Sequence, residues 1–243
     1  TDMNNMFSSA TAFNNGGSPA IENWSAPLCT NFTAMFSYAP LFNQPLTALV
    51  NTTNVPSCSL QIMFEGATIF NQDVGGWIVT NVTNMSYMFM NTNAFNNGGS
   101  DSIKTWSAPK CTSFQEMFEN ASLFNQPLTN LVDTTNVSSC TFSGMFISAT
   151  TFNQDIGSWQ VSNVTNFQNM FSSATAFNNG GSDSIQTWRA PKCTTFESMF
   201  VSATSFNQPL TALVDTSGVS STTNCLFGTM FNNATSFNQN IGG

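Results

Sequence analysis

The chain has 243 residues, of which only 7% are charged; it has no His, and its net charge is −8 with Lys104, Lys110, Arg189 and Lys192 as its bases. That balance argues against nucleic-acid binding, and no apolar run is long enough to span a membrane. With so little charge, the surface must be built largely from Asn, Ser, Thr and Gln.

From the N-terminal side, the first pattern is Met6-Phe7, followed seven residues after the Met by Phe13-Asn14. The Met-Phe pair returns at Met35, Met63, Met88, Met117, Met145, Met170, Met199 and Met230, each time with its Phe-Asn, down to Phe237-Asn238. An Ala lies between the two in eight copies, and Thr92 takes its place in the fourth. Met, Ala and Phe at i, i+4 and i+7 share one face of a helix, so a short helix is predicted through each Met-Phe. Such a helix is too short to fold alone. Nine copies at a near-constant period predict stacked coils forming one continuous solenoid over 1–243.

The Met-to-Met steps run 29, 28, 25, then 29, 28, 25, then 29 and 31, so the larger unit has three coils and 82 residues. The units fall at approximately 1–82, 83–164 and 165–243, and the third carries a three-residue insertion around Ser217-Gly218-Val219-Ser220. The 29-residue coils add turn-forming runs after Phe-Asn, at Asn15-Gly16-Gly17-Ser18, Asn97-Gly98-Gly99-Ser100 and Asn179-Gly180-Gly181-Ser182. The 28-residue coils add loops at 51–54 and 133–136. The 25-residue coil is the minimal form, with an extended stretch predicted from Ile156 to Val164. Thr112-Ser113-Phe114-Gln115, Thr165-Asn166-Phe167-Gln168 and Thr194-Thr195-Phe196-Glu197 match a helix capping box. Every coil runs the same way, so the strands should pair in parallel.

The cysteines follow the same frame. Cys29, Cys111 and Cys193 lie six residues before a Met-Phe pair, and Cys58, Cys140 and Cys225 lie five before one. Val82 and Val164 hold the matching place in the minimal coil, which marks the site as buried. Neighbouring rungs about 4.8 Å apart fall within the roughly 4.4–6.8 Å Cα range of a disulfide. Stacking therefore pairs Cys29 with Cys58, Cys111 with Cys140, and Cys193 with Cys225, which implies an oxidising setting. The competing reading is a set of reduced, buried thiols; metal binding lacks a second ligand type.

The Asn of each Phe-Asn forms a column: Asn14, Asn43, Asn71, Asn96, Asn125, Asn153, Asn178, Asn207 and Asn238. Stacked identical Asn side chains can hydrogen-bond the backbone of the adjacent coil, with a ligand-binding ladder as the functional alternative. Trp24, Trp77, Trp106, Trp159 and Trp188 hold a fixed spacing from Ile or Val, which favours core packing over sugar stacking. Nine N-x-S/T sequons are about what so much Asn, Ser and Thr produces by chance. Asn51 and Asn136, in the added loops, are the N-glycosylation candidates. Asp73 and Asp155 are about three coils apart, too far to share a calcium ion. No cofactor is implied. With no His, no phosphate loop and no carboxylate pair in a repeat-breaking insertion, the chain does not read as an enzyme.

The minimal coil reads F-N-Q-D-[IV]-G-x-W-x-V-[ST]-N-V-T-N-[MF]-x-x-M-F, nearly complete over 70–89 and 152–171. It resembles the BspA-like bacterial surface-protein repeat, a leucine-rich-repeat-like family found also in mycoplasma and lactobacillus surface lipoproteins. The resemblance implies a right-handed, leucine-rich-repeat-like solenoid of nine coils, each with a short parallel strand and a short helix, displayed at a cell surface. It carries no catalytic motif. The alternating 29- and 28-residue coils and the Cys pairs depart from the family pattern.

The functional expectation is an extracellular structural protein: a disulfide-stapled rod, filament or surface layer. The chain starts without Met and shows no signal peptide, so it reads as a processed protein or an excised segment. Its coils are expected to continue end to end, in the same chain or in like subunits. A cell-surface adhesin that binds protein or carbohydrate on one face is the alternative, and ice binding, suggested by abundant Thr, is the third.

Overall fold

The computed structural model describes residues 2–213 and 225–241, so the insertion at Ser217–Ser220 lies outside the described residues. The chain is a repeat protein whose consecutive repeats hydrogen-bond in parallel. Strands β1 (Cys58–Ser59) and β2 (Val82–Asn84) pair, as do β3 (Cys140–Thr141) and β4 (Val164–Asn166), each pair with a bulge at the Thr of the second strand. Single parallel bridges extend these pairs through every repeat, joining Asp2, Asn31, Ser59, Asn84, Ser113, Thr141, Asn166, Thr195 and Leu226 in sequence. Each bridge residue lies four positions before a Met-Phe pair.

The predicted helix through Met-Phe is not what forms. The segment is a run of turns in which the residues one before and three after each Met have positive φ. In the second repeat these are Ala34 and Tyr38; in the fifth, Glu116 and Asn120. Residues alternate in what they bond. Met35, Ser37 and Ala39 close turns onto Phe32, Ala34 and Phe36, whereas Phe32, Ala34, Phe36 and Tyr38 donate to Ser59, Gln61, Met63 and Glu65 of the next repeat. The same four donations, at 2.7–3.0 Å, recur at all eight junctions between successive repeats.

A left-handed residue opposes helix propagation and costs roughly 1–2 kcal/mol when it is not Gly. Here it turns alternate amides along the stacking direction, where an identical neighbour satisfies them. The capping boxes are therefore not formed as such. Thr165 and Asn166 belong to β4, and Asn166 accepts from the N–H of Gln168 at 2.8 Å. Ser113 and Thr195 do the same for Gln115 and Glu197. The extended stretch is likewise shorter than expected: Gly157 and Ser158 turn, and the strand begins only at Val164.

The Gly-rich runs form short 3-10 turns at Asn15–Gly17, Asn97–Gly99 and Asn179–Gly181, followed by 3-10 helices Pro19–Asn23, Asp101–Thr105 and Asp183–Thr187. Ser18, Ser100 and Ser182 cap the latter. Gly75 and Gly157 are required by close approach rather than by dihedral angle. A Cβ on Gly157 would lie 2.0 Å from Ser184 Oγ, and one on Gly75 would meet Ser102 in the same way. Gly157→Ala is expected to destabilise the fold by at least ~1–3 kcal/mol. A lower urea midpoint checks this; an unchanged one contradicts the packing of the minimal repeat on the long repeat that follows.

The core is a double column of phenylalanines. The Phe of Met-Phe and the Phe of Phe-Asn stack within each repeat at 3.8–4.2 Å between centroids. Between repeats the first column advances by 5.4–5.6 Å. The second advances by 5.7–6.0 Å. Trp77, Trp106, Trp159 and Trp188 are buried beside them. Their indole N–H groups donate to Leu46, Val74, Leu128 and Ile156 carbonyls, so no polar atom is left bare.

Candidate functional site

The asparagine column sits at the bend after the second Phe. The Oδ1 of Asn14 accepts from the backbone N–H of Asn43 at 3.0 Å, and that of Asn43 accepts from Asn71 at 2.9 Å. The bond repeats through Asn96, Asn125, Asn153, Asn178, Asn207 and Asn238 at 2.8–2.9 Å. Each oxygen from Asn14 to Asn207 except one kind accepts a Gln amide as its second donor, namely Gln44, Gln72, Gln126, Gln154, Gln208 and Gln239. The exception is the junction into a long repeat, where Asn71 and Asn153 accept from Gly98 and Gly180 N–H instead. Both lone-pair directions of these oxygens are thus used inside the protein, which leaves little for a ligand.

The buried Asn97 and Asn179 clasp the same junction. Their Oδ1 atoms accept from Val74 and Ile156 N–H, and their Nδ2 groups donate to Ser102 and Ser184. Asp73 and Asp155 complete it, each accepting a 2.6 Å bond from the Ser hydroxyl and one from a Gly N–H. Burial alone would raise these carboxyls, but the hydrogen bonds outweigh it and hold both below their ordinary value. The sequence singled out these aspartates without their Ser partners. The clue was there: Ser102 and Ser184 follow each Gly-rich run at a fixed distance.

All six cysteines are free thiols in this structure, and five are buried. The expected partners do lie on adjacent repeats: Cys140 Sγ is 3.6 Å from the Cys111 carbonyl, and Cys225 Sγ is 3.7 Å from that of Cys193. Burial pushes the Cys58, Cys111 and Cys193 thiols up to about 12, and it raises Cys140 and Cys225 too. Thiols held that high are poor nucleophiles.

Among the sequons, Asn81 and Asn163 are engaged, their Nδ2 groups donating to the carbonyls of the buried Thr52 and Thr134. Asn51 is half-buried, and its Oδ1 accepts from Thr53 N–H at 3.1 Å. Asn136 is exposed. The bases follow the long repeats, as in Lys104, which pairs with Asp101 at 2.5 Å. Lys110 and Lys192 reach across the minimal repeat to the Pro56 and Ser138 carbonyls. Among the described residues, no group of three Asp, Glu, Cys or His side chains is placed to hold a metal ion.

One face breaks the repeat, with residues that the sequence spreads over four separate coils. Tyr38 OH donates to Glu65 at 2.9 Å. Tyr87 lies near Glu116, Glu119 and Glu65; burial and these carboxylates raise its phenol. Gln115 donates to Tyr87 OH and to Glu116. Burial, together with Glu116 beside it, pushes Glu119 up to about 7. A carboxyl raised on folding binds its proton more tightly in the native state, so the native state loses stability as pH rises from near 4.5 through 7. Melting temperature should fall over that interval, and Glu119→Val should flatten the slope. A wild-type slope of the opposite sign would contradict the crowding.

The family described as "Mycoplasma protein of unknown function, DUF285" matches this chain over residues 1–131, 97–213 and 181–243. No curated protein and no solved structure matches it.

Proposed function

The chain belongs to the Mycoplasma protein family of unknown function DUF285, and from that premise we propose that it is an extracellular structural protein. In this reading the repeats form one right-handed, leucine-rich-repeat-like solenoid that continues end to end, in the same chain or in like subunits, as a rod, filament or surface layer. The carrying observation is the sameness of the junctions: four backbone bonds, two Phe contacts and one Asn bond recur at each. A further repeat, from whatever chain, would find the same donors and rings waiting.

The described repeat nearest the C-terminus offers this surface. The N–H groups of Phe227, Thr229, Phe231 and Asn233 have no partner among the described residues, and Ile241 beside them is exposed. Residues of that repeat border a cleft of about 520 Å³.

Electron microscopy and sedimentation of the native material test the proposal. Filaments, or particles longer than nine repeats, are expected; a monodisperse monomer at high concentration sinks it. The pairs Cys29–Cys58, Cys111–Cys140 and Cys193–Cys225 are proposed to become staples under oxidising conditions. Non-reducing peptide mapping should recover those three links and no others. The second reading, an adhesin, is favoured by the irregular face around Tyr38 and Tyr87.

A further inference from the structure

We infer that the face of the second to fifth repeats carrying Tyr38, Glu65, Tyr87, Glu116 and Glu119 is a docking surface for a cationic peptide segment with apolar side chains between its charges. This rests on the adhesin reading and is independent of end-to-end assembly.

The first argument is the repeat itself. Displacement by one 82-residue unit takes Glu65 to Ile147, Tyr87 to Asn169, Glu116 to Ser198 and Glu119 to Val201. Displacement by two units takes Tyr38 to Ser202 and Leu41 to Ser205. The frame therefore tolerates small or neutral residues at all these positions. Packing does not demand the charged and aromatic ones, and their concentration on neighbouring repeats is a property of the surface.

The second argument is geometry. Tyr38 is 52% exposed, although its ring lies over Gly66, where a Cβ would be 2.8 Å from the ring. Glu116 similarly runs over Gly144, whose Cβ would be 2.7 Å from its Cγ. These are the two places in the turn segments where glycine fills the left-handed position, and each gives its neighbour a seat. Three residues beyond the turn, Leu41, Ile69 and Leu123 are exposed by 51, 44 and 55%. The same repeats thus carry, a few residues past the carboxylates and phenols, a row of exposed apolar side chains.

The third argument is charge. Three carboxylates share this face, and none of the four bases of the chain occupies its turn positions. Glu116 and Glu119 crowd each other, with Tyr87 on the preceding repeat and the uncharged Gly144 and Ile147 on the following one. A guanidinium or ammonium would relieve that repulsion, pair with the carboxylates and stack on the phenols.

The test uses the whole chain and fluorescence anisotropy of a labelled peptide of alternating Arg and Leu, with an equally long Glu-Leu peptide as its counterpart. The variant Tyr38→Ser, Glu65→Ile, Glu116→Ser, Glu119→Val installs residues that the same positions already hold in other units, so folding should survive; circular dichroism confirms this. A charge control, Glu22→Gln, Asp133→Asn, Asp183→Asn, removes three carboxylates elsewhere. Wild type and control should bind the cationic peptide alike, with the face variant weaker by about tenfold or more. The proposal is overturned if the face variant binds within about twofold of wild type, if the control loses as much, or if the Glu-Leu peptide binds as well. It is also overturned by no binding at all, or by wild-type self-association that the face variant abolishes, which would make the occupant a second copy.

Discussion

Phe124→Ala should lower the unfolding free energy by about 3–5 kcal/mol, the usual range for emptying a buried Phe site. Phe124 has no exposed surface. It stacks on Phe118 at 4.2 Å within its repeat, on Phe95 at 5.7 Å before it and on Phe152 at 5.9 Å after it. The site has little means of collapse, because both columns on either side are fixed by the same backbone bonds. Removing one ring weakens two junctions at once, and in a quasi-one-dimensional protein that can divide the cooperative unit. Urea unfolding followed by circular dichroism should show a lower midpoint, and a broadened or two-step transition if the halves uncouple. Phe124→Leu, which refills most of the volume, should cost distinctly less. Equal costs would mean that the column is not close-packed.

The second large effect is expected at the asparagine column. Asn153→Ala removes an oxygen that accepts from Asn178 N–H at 2.8 Å and from Gly180 N–H at 2.9 Å. The Asn178 donor is stranded at a partly buried bend at about 1–3 kcal/mol, whereas the exposed Gly180 N–H can turn to water, so the total should be about 1–3 kcal/mol. Asn153→Asp keeps the acceptor and should recover much of the loss. Hydrogen exchange gives the sharper readout: protection at Asn178 and Gly180 should drop in the Ala variant while amides several repeats away keep theirs. Unaltered exchange at both positions would refute the assignment of the oxygen to these two donors.

These two columns were legible in the sequence because a stacked repeat leaves every inward position in register with its copies. Phe at the same place nine times can only be a column if the repeats stack. The local conformation was not legible. Met, Ala and Phe at i, i+4 and i+7 fit a helical face, but a chain that turns every four residues presents the same spacing. Deciding between them needs the φ of residues such as Ile62 and Tyr87, both left-handed here although neither side chain favours it. Nor could the Thr of Thr165-Asn166 announce that it lies in a strand, since Thr serves strands and caps alike. Sequence read along the chain placed Tyr38, Glu65 and Glu119 more than 20 residues apart in separate coils. Only lateral alignment brings them onto one face.

The turn segments also give the molecule a sense of direction. At every junction the four amides of the earlier repeat point toward the later one, and four carbonyls point back to meet them. The asparagine column, with two donors on each oxygen, and isolated backbone bonds such as Ser59 N–H to the Thr30 carbonyl run the other way, but fewer peptide groups take part in them. Peptide dipoles of about 3.5 D aligned over successive layers add, as they do in a helix. Any long stack of these repeats is therefore an electrically polar object, with an excess of bare donors at one extremity and of bare acceptors at the other. Two such stacks could not meet donor to donor. On the end-to-end reading proposed above, added repeats would all share one orientation, and growth would differ in rate at the two extremities.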